Sequence, residues 1–237
     1  MVNYEESIKK PFTDFGKLVI GIILSIIPIV NWIAQGFIIE SSGIGRSKPS
    51  KNMPEWKNVG DYLIKGLLSH VIIFIYLLPA ILILSATVGY FIGSLISSLS
   101  GVLPSGFVSS LLTGRITGDE VNLLLSQNWM LILPALLRSL PLILIGLFLV
   151  LVGVYLSPMA VLNYLKNKRF SSAFDLNLVF HKSFTSQYFL AWIIAGMIMI
   201  VIRSALFFIP VIGSAIAYFI SGLIAYSLFG QVFREIK

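Results

Sequence analysis

The feature that most constrains this chain is the length of its apolar runs. Leu18–Ile39, Gly66–Leu95, Trp129–Leu165 and Gln187–Gly230 carry almost no charge, and the last is long enough for two spans. A helix needs about 20 apolar residues to cross a hydrocarbon core about 30 Å thick. The runs do not alternate as the strands of a membrane barrel do, so they read as helices. Helices also satisfy backbone donors and acceptors within the segment, where lipid offers none. With 57% of its residues hydrophobic and 11% charged, a chain of 237 residues cannot hide this much apolar surface in a water-soluble core. The expectation is an all-α, polytopic transmembrane helical bundle, a single integral membrane domain over residues 1–237.

Two of the runs are broken alike. Residues 26–31 read IIPIVN and residues 208–213 read FIPVIG. Proline removes a backbone donor and clashes with the preceding turn, and Asn or Gly three residues on tolerates a tight reversal. Pro28 with Asn31, and Pro210 with Gly213, are therefore expected at the apices of proline-hinged helix hairpins. The match is too short for an internal repeat and reads as a recurring local solution. Pro79 has no such partner and reads as a simple kink.

Charge placement sets the expected path. Basic residues gather in cytoplasmic loops. If Leu18–Ile39 turns back at its apex without crossing, the lead-in and the loop 40–66 lie on one side, and residues 1–66 form a cytoplasmic-side lead-in with a re-entrant or kinked hydrophobic hairpin; the alternative is a single span kinked at Pro28. Two spans over 66–165 then flank an outer-face segment, 96–128. Residues 166–237 supply a cytoplasmic loop and a two-span hairpin. On this path both termini are cytoplasmic in the cell membrane, and only Arg115, Arg138 and Arg203 stand apart from the inner-side basic residues. The net charge of +7 thus points to anionic lipid headgroups rather than nucleic acid.

Met53–Gly66 and Asn167–Phe180 read as short interfacial amphipathic helices. In the first, Trp56 and Tyr62 are expected at the membrane interface, Lys57 and Lys65 toward headgroups, and Glu55 and Asp61 within reach of those lysines. In the second, Ser171 or Ser172 is the expected cap, with Lys168 and Arg169 toward phosphate. Small residues recur every four positions at Gly213, Ala217, Ser221 and Ala225, and again at Gly89, Gly93 and Ser97. Such stripes let membrane helices approach closely, inside the bundle or against a protein partner or second copy.

Chemistry is sparse. There is no cysteine, and no acid falls in the middle of an apolar run, which argues against a proton- or cation-coupled transporter. His70 and His181 make no metal-ligand pattern, and no phosphate-binding, hydrolase or dinucleotide motif occurs. The expectation is no enzyme activity, no metal and no cofactor. Arg138 and Arg203 are the candidate anion or lipid-headgroup residues, since guanidinium binds phosphate in a bidentate fork; the plainer reading is snorkelling to the interface. Two functions fit: a non-enzymatic scaffold or accessory subunit, or a lipid- or small-solute-handling transport component.

The succession IPIVN, MPEW…GDYLIKG…IYLLPAIL, SPMAVLNYLKNKRFSSAFDL and YSLFGQVFREIK resembles the family called domain of unknown function 4013, in order over nearly the whole chain. The resemblance implies a polytopic membrane protein of a mainly archaeal family with some bacterial members. It carries over no catalytic or binding residue, and segment 96–128 matches nothing in it.

Overall fold

The computed structural model describes residues 2–45, 52–99, 106, 109–110, 113–115, 117–127 and 129–236. Arg46, Lys48 and Lys51, and much of the expected outer-face segment between 100 and 116, lie outside the described residues. The helices are α1 (Tyr4–Lys9), α2 (Phe15–Ile26), α3 (Asn31–Glu40), α4 (Val59–Leu99), α5 (Gly118–Gln127), α6 (Trp129–Asn167), α7 (Leu176–Ser183), α8 (Ser186–Ala205) and α9 (Ile212–Glu235). Short 3₁₀ turns occupy Lys10–Phe12 and Phe170–Phe174, and the described residues contain no strand. Helices α4, α6, α8 and α9 are long and apolar enough to cross a membrane; α2 is a shorter apolar helix.

Local signals set the helix starts. The side chains of Asn3, Asp14, Asp175 and Thr185 accept from the backbone N–H of Glu6, Lys17, Leu178 and Tyr188, capping α1, α2, α7 and α8. The expected serine cap of Asn167–Phe180 is thus replaced by Asp175. Ser172 instead donates its hydroxyl to the carbonyls of Arg169 and Asn163. Helices α4 and α6 have 41 and 39 residues, about 60 Å each at 1.5 Å per residue. Helix α6 runs unbroken through Pro134 and Pro141. In an apolar surround, unwinding exposes more unpaired backbone groups than the proline itself leaves.

Both proline sites end one helix and start another, through the same backbone device. After Pro28, Ile29 has φ +70°, and the Val30 N–H donates back to Pro28 O at 2.8 Å. After Pro210, Val211 has φ +61° and ψ −66°, and the Ile212 N–H donates to Pro210 O at 2.7 Å. These are γ-turns of the uncommon positive-φ form. One residue further on, Asn31 N–H reaches Ile27 O and Gly213 N–H reaches Ile209 O, both at 2.9 Å. The left-handed residue is therefore the β-branched one after proline, not Asn31 or Gly213. Asn31 and Gly213 lie instead in the first turn of the following helix.

The contacts divide the chain into two units: residues 1–76 with 153–237, and residues 77–152. In the first unit α9 is the central element, with Gly213, Ala217, Phe219, Ser221 and Leu223 among its many buried residues. A Cβ on Gly21 would strike the Phe219 ring, one on Gly222 would press on Ile38, and one on Gly230 would lie 2.2 Å from Ser42 O. Tyr218 donates to Gln35 Oε1 at 2.6 Å. Residues 35, 38 and 42 thus climb beside 218, 222 and 230, so α3 runs parallel to α9. Helices α3 and α4 cross backbone to backbone: a Cβ on Gly36 would be 1.9 Å from Tyr62 O, and one on Gly66 would be 1.7 Å from Trp32 O.

The second unit holds the later part of α4, α5 and the earlier part of α6. Its helix contact is made at Gly146, where a Cβ would lie 2.3 Å from Leu84 Cδ2. Gly89 and Gly93 differ from every close-packed glycine above: no described atom comes within 4 Å of a Cβ placed on either.

Candidate functional site

The chemistry-bearing side chains of the first unit concentrate where α3 and α9 end. Helix C-termini leave carbonyls without intrahelical partners and carry the negative end of the helix dipole. Lysine and arginine answer both needs here. Lys10, 5% exposed, donates to Ser41 O at 2.6 Å, just past α3. Arg234 Nη1 donates to Ser42 O at 2.9 Å. Lys182, 6% exposed, donates to Phe233 O at 3.1 Å and to Ile236 O, at the end of α9. The Lys182 ammonium also lies 4.7 Å from the centroid of the Phe233 ring, a favourable cation–π placement. Burial, and then the charge of Lys166, hold the Lys182 ammonium below its ordinary range.

Helix α1 closes over the same end. Ser7 and Gln231 bond at 2.9 Å, Ser7 meets the Ser227 hydroxyl at 3.2 Å, and the Asn3 N–H donates to Gln231 Oε1 at 2.6 Å. The acids nearby are committed to particular lysines. Lys65 bridges Glu40 at 2.8 Å and Asp61 at 2.6 Å; Lys17 bridges Glu55 at 2.6 Å and Asp14 at 3.3 Å. The bond to Glu55 lifts the Lys17 ammonium above its usual range.

Residues 53–58 precede α4 rather than forming an interfacial helix. Trp56 stacks on Phe37 at 3.9 Å between centroids, and its Nε1–H reaches Lys17 O at 3.4 Å. Tyr62 is buried and donates to Glu55 O at 2.7 Å. These aromatics, read as interfacial, instead clamp the first turn of α2 to the last turn of α3. That contact brings the two outer ends of Leu18–Ile39 together. Of the expected pairs, Asp61 does meet Lys65, whereas Glu55 meets Lys17.

Two cavities flank the Gly43–Gly45 turn, where Gly43 and Gly45 take φ +71° and +82°. One, about 370 Å³, is lined by Glu40, Asp61, Lys65, Tyr164 and Lys168 with the turn itself. The other, about 420 Å³, is lined by Lys166, Lys182, Arg234, Phe233 and Ile236 with the same turn. Sequence reading missed both. A basic residue in a last helical turn is a visible cue for Arg234, but nothing local aims Lys182 at α9.

The other sequence candidates fall elsewhere. Arg203 is exposed in the last turn of α8 and lines a shallow apolar cavity of about 480 Å³ with Ile200, Ser204, Phe207 and Phe208. Arg138 is exposed on α6, in the second unit. The stripe residues Gly213, Ala217 and Ser221 are buried inside the first unit, and Ala225 is half-buried. His70 sits on α4 with Nδ1 2.8 Å from Gly66 O.

The described residues are all-helical and of the polytopic membrane class, with four helices among them fit to span a bilayer. Residues 20–226 match the family described as protein of unknown function DUF4013, and the chain belongs to that family. No curated protein and no solved structure matches it.

Proposed function

We propose that the chain is a non-enzymatic membrane scaffold or accessory subunit that receives a partner helix, from another protein or a second copy, along Gly89, Gly93 and Ser97 of α4. The contrast between glycines carries this reading. Gly21, Gly36, Gly66, Gly146, Gly213, Gly222 and Gly230 are each filled against by a neighbouring segment, whereas no described atom comes within 4 Å of a Cβ on Gly89 or Gly93, nor on Gly196 of α8. A glycine inside a helix costs about 0.5–1 kcal/mol relative to alanine, and at an open one no described neighbour offsets that cost. Close helix approach in lipid is what small residues provide. In the same reading the protein sits in the cell membrane with both termini cytoplasmic, supported by the basic residues gathered at one end of the first unit. The test is extraction in lipid nanodiscs, with mass spectrometry of the native and Gly93→Leu chains. A stoichiometric partner or dimer lost in the variant supports the proposal; a monomer with no bound protein sinks it.

A second reading is a lipid- or small-solute-handling transport component, favoured by the apolar cavity in which Arg203 stands with Phe207 and Phe208. Arg203→Ala is expected to reduce co-purified anionic lipid, and an unchanged lipid profile removes the support.

A further inference from the structure

We propose that the cavity between the Gly43–Gly45 turn, Lys166, Lys182 and the end of α9 binds a phosphate group, carried either by a lipid headgroup or by a soluble phosphate compound. The argument begins with unbalanced charge. Lys166, Lys182 and Arg234 line one cavity, and none of its lining residues is acidic. Among the described acids, Glu40 and Asp61 bridge Lys65, Glu55 and Asp14 bridge Lys17, and Glu5 bridges Lys9, while Glu235 follows Arg234 at the end of α9. Glu6 on α1 attracts Arg234 and offsets part of one charge. Like charges gathered at a partly desolvated site repel strongly, and Lys182 feels Lys166 in this way.

Donors remain for a ligand. Lys182 gives two N–H groups to Phe233 O and Ile236 O, and an ammonium has three. Arg234 gives Nη1 to Ser42 O, and a guanidinium has five N–H donors in a planar fork suited to phosphate oxygens. Lys166 is exposed, its ammonium 5.9 Å from the centroid of the Phe233 ring. Two ammonium groups and a guanidinium around one space suit a dianion with several oxygens better than a single carboxylate. At about 420 Å³ the cavity has room for more than a bare ion, since one water takes about 30 Å³ of liquid. Phe233, Ile236 and Ile44 supply apolar wall beside the charges.

The turn fixes the shape. Gly43 and Gly45 hold positive φ, and a Cβ on Gly45 would come 3.1 Å from Leu165 O, so the loop lies flat against the end of α6. A side chain at Gly45 would be strained and would push the turn away from α6.

The test uses the full chain in neutral detergent and in nanodiscs. Inorganic phosphate is titrated at constant ionic strength, with chloride as control, and the unfolding midpoint is followed. In parallel, phosphatidylcholine nanodiscs are compared with nanodiscs that also contain phosphatidic acid. A rise with inorganic phosphate assigns a soluble phosphate ligand; a rise with phosphatidic acid alone assigns a lipid headgroup. In either arm Lys166→Gln, which removes an exposed charge without uncapping a helix, is expected to fold as before and to weaken the response about tenfold. Arg169→Gln, outside the cavity lining, is expected to leave it unchanged. No rise in either arm overturns the proposal, as does a rise of equal size in Lys166→Gln.

Discussion

Gly66→Ala adds one methyl group to α4 and is expected to loosen the first unit. A Cβ at Gly66 lies 1.7 Å from Trp32 O, 2.7 Å from its carbonyl carbon and 3.0 Å from Gly36 N. All three are backbone atoms of α3, so no side-chain rotation relieves the clash. Carbon and carbonyl oxygen settle at about 3.3–3.6 Å, which requires the helices to part by about 1.6–1.9 Å. Overpacking a core costs about 1–3 kcal/mol, and contact with rigid backbone places this case near 3. Alanine returns about 1 kcal/mol of helix propensity, leaving a net loss of about 2 kcal/mol.

Gly89→Ala is the control, because it makes the same change in the same helix. Nothing described lies within 4 Å of its new Cβ, so within the isolated monomer only the propensity gain remains, at most about 1 kcal/mol. The two substitutions should shift stability in opposite directions, read by denaturant and thermal unfolding in mild detergent with helix content as the signal. Gly36→Ala, whose Cβ would lie 1.9 Å from Tyr62 O, should resemble Gly66→Ala. The double variant should cost less than the sum, because one separation of the helices relieves both clashes. Wild-type stability in Gly66→Ala, or equal shifts at positions 66 and 89, would refute the crossing.

Ala217→Leu, at a position 2% exposed on the central helix, is expected to crowd the first unit and cost about 1–3 kcal/mol; an unchanged unfolding midpoint in detergent would mean that this face meets lipid instead. Lys182 gives a pH signature. Its folded value lies below the unfolded one, so within the alkaline window beneath about 10.5 the unfolded chain holds a proton that the folded chain has released, and stability rises with pH there. Lys17, raised by Glu55, acts in the other direction and in a higher window, losing stability as pH passes above its usual value. The difference between native and Lys182→Met chains across the alkaline range should therefore show the upward component, and a flat difference would exclude it.

Helix class and the break points at Pro28 and Pro210 were legible because hydropathy and proline act locally. The stripe on α9 was legible as a period but not as a direction: Gly213, Ala217 and Ser221 turn inward, while Gly89 and Gly93 stay open, and the same spacing describes both. The packing of Trp56 and Tyr62 was not legible, because an aromatic beside lysines suits an interface as well as a core. Only the long-range contact with Phe37 decides between them. The site at the end of α9 was illegible for the same reason: Lys182 acts on carbonyls 51 and 54 positions away in sequence.

The two hairpins explain why so much basic charge collects there. Helices α3 and α9 both begin at a proline γ-turn, and they run parallel, as the pairing of residue 35 with 218 and 42 with 230 requires. Parallel neighbours bring two carbonyl ends, and two negative dipole ends, to one place. At buried residues such as Ser41, Ser42 and Phe233 those carbonyls are costly to leave unpaired. Lys10, Lys182 and Arg234 meet that demand with charge-assisted hydrogen bonds. Part of the net charge of +7 is thus a consequence of the fold rather than a signal to lipid. Lys166 stands apart in this account, since it lies over the Phe233 ring rather than on a helix-end carbonyl. Removing it should therefore test ligand binding with little effect on the helix ends, which is why Lys166→Gln separates the phosphate proposal from fold stability more cleanly than Lys182→Met.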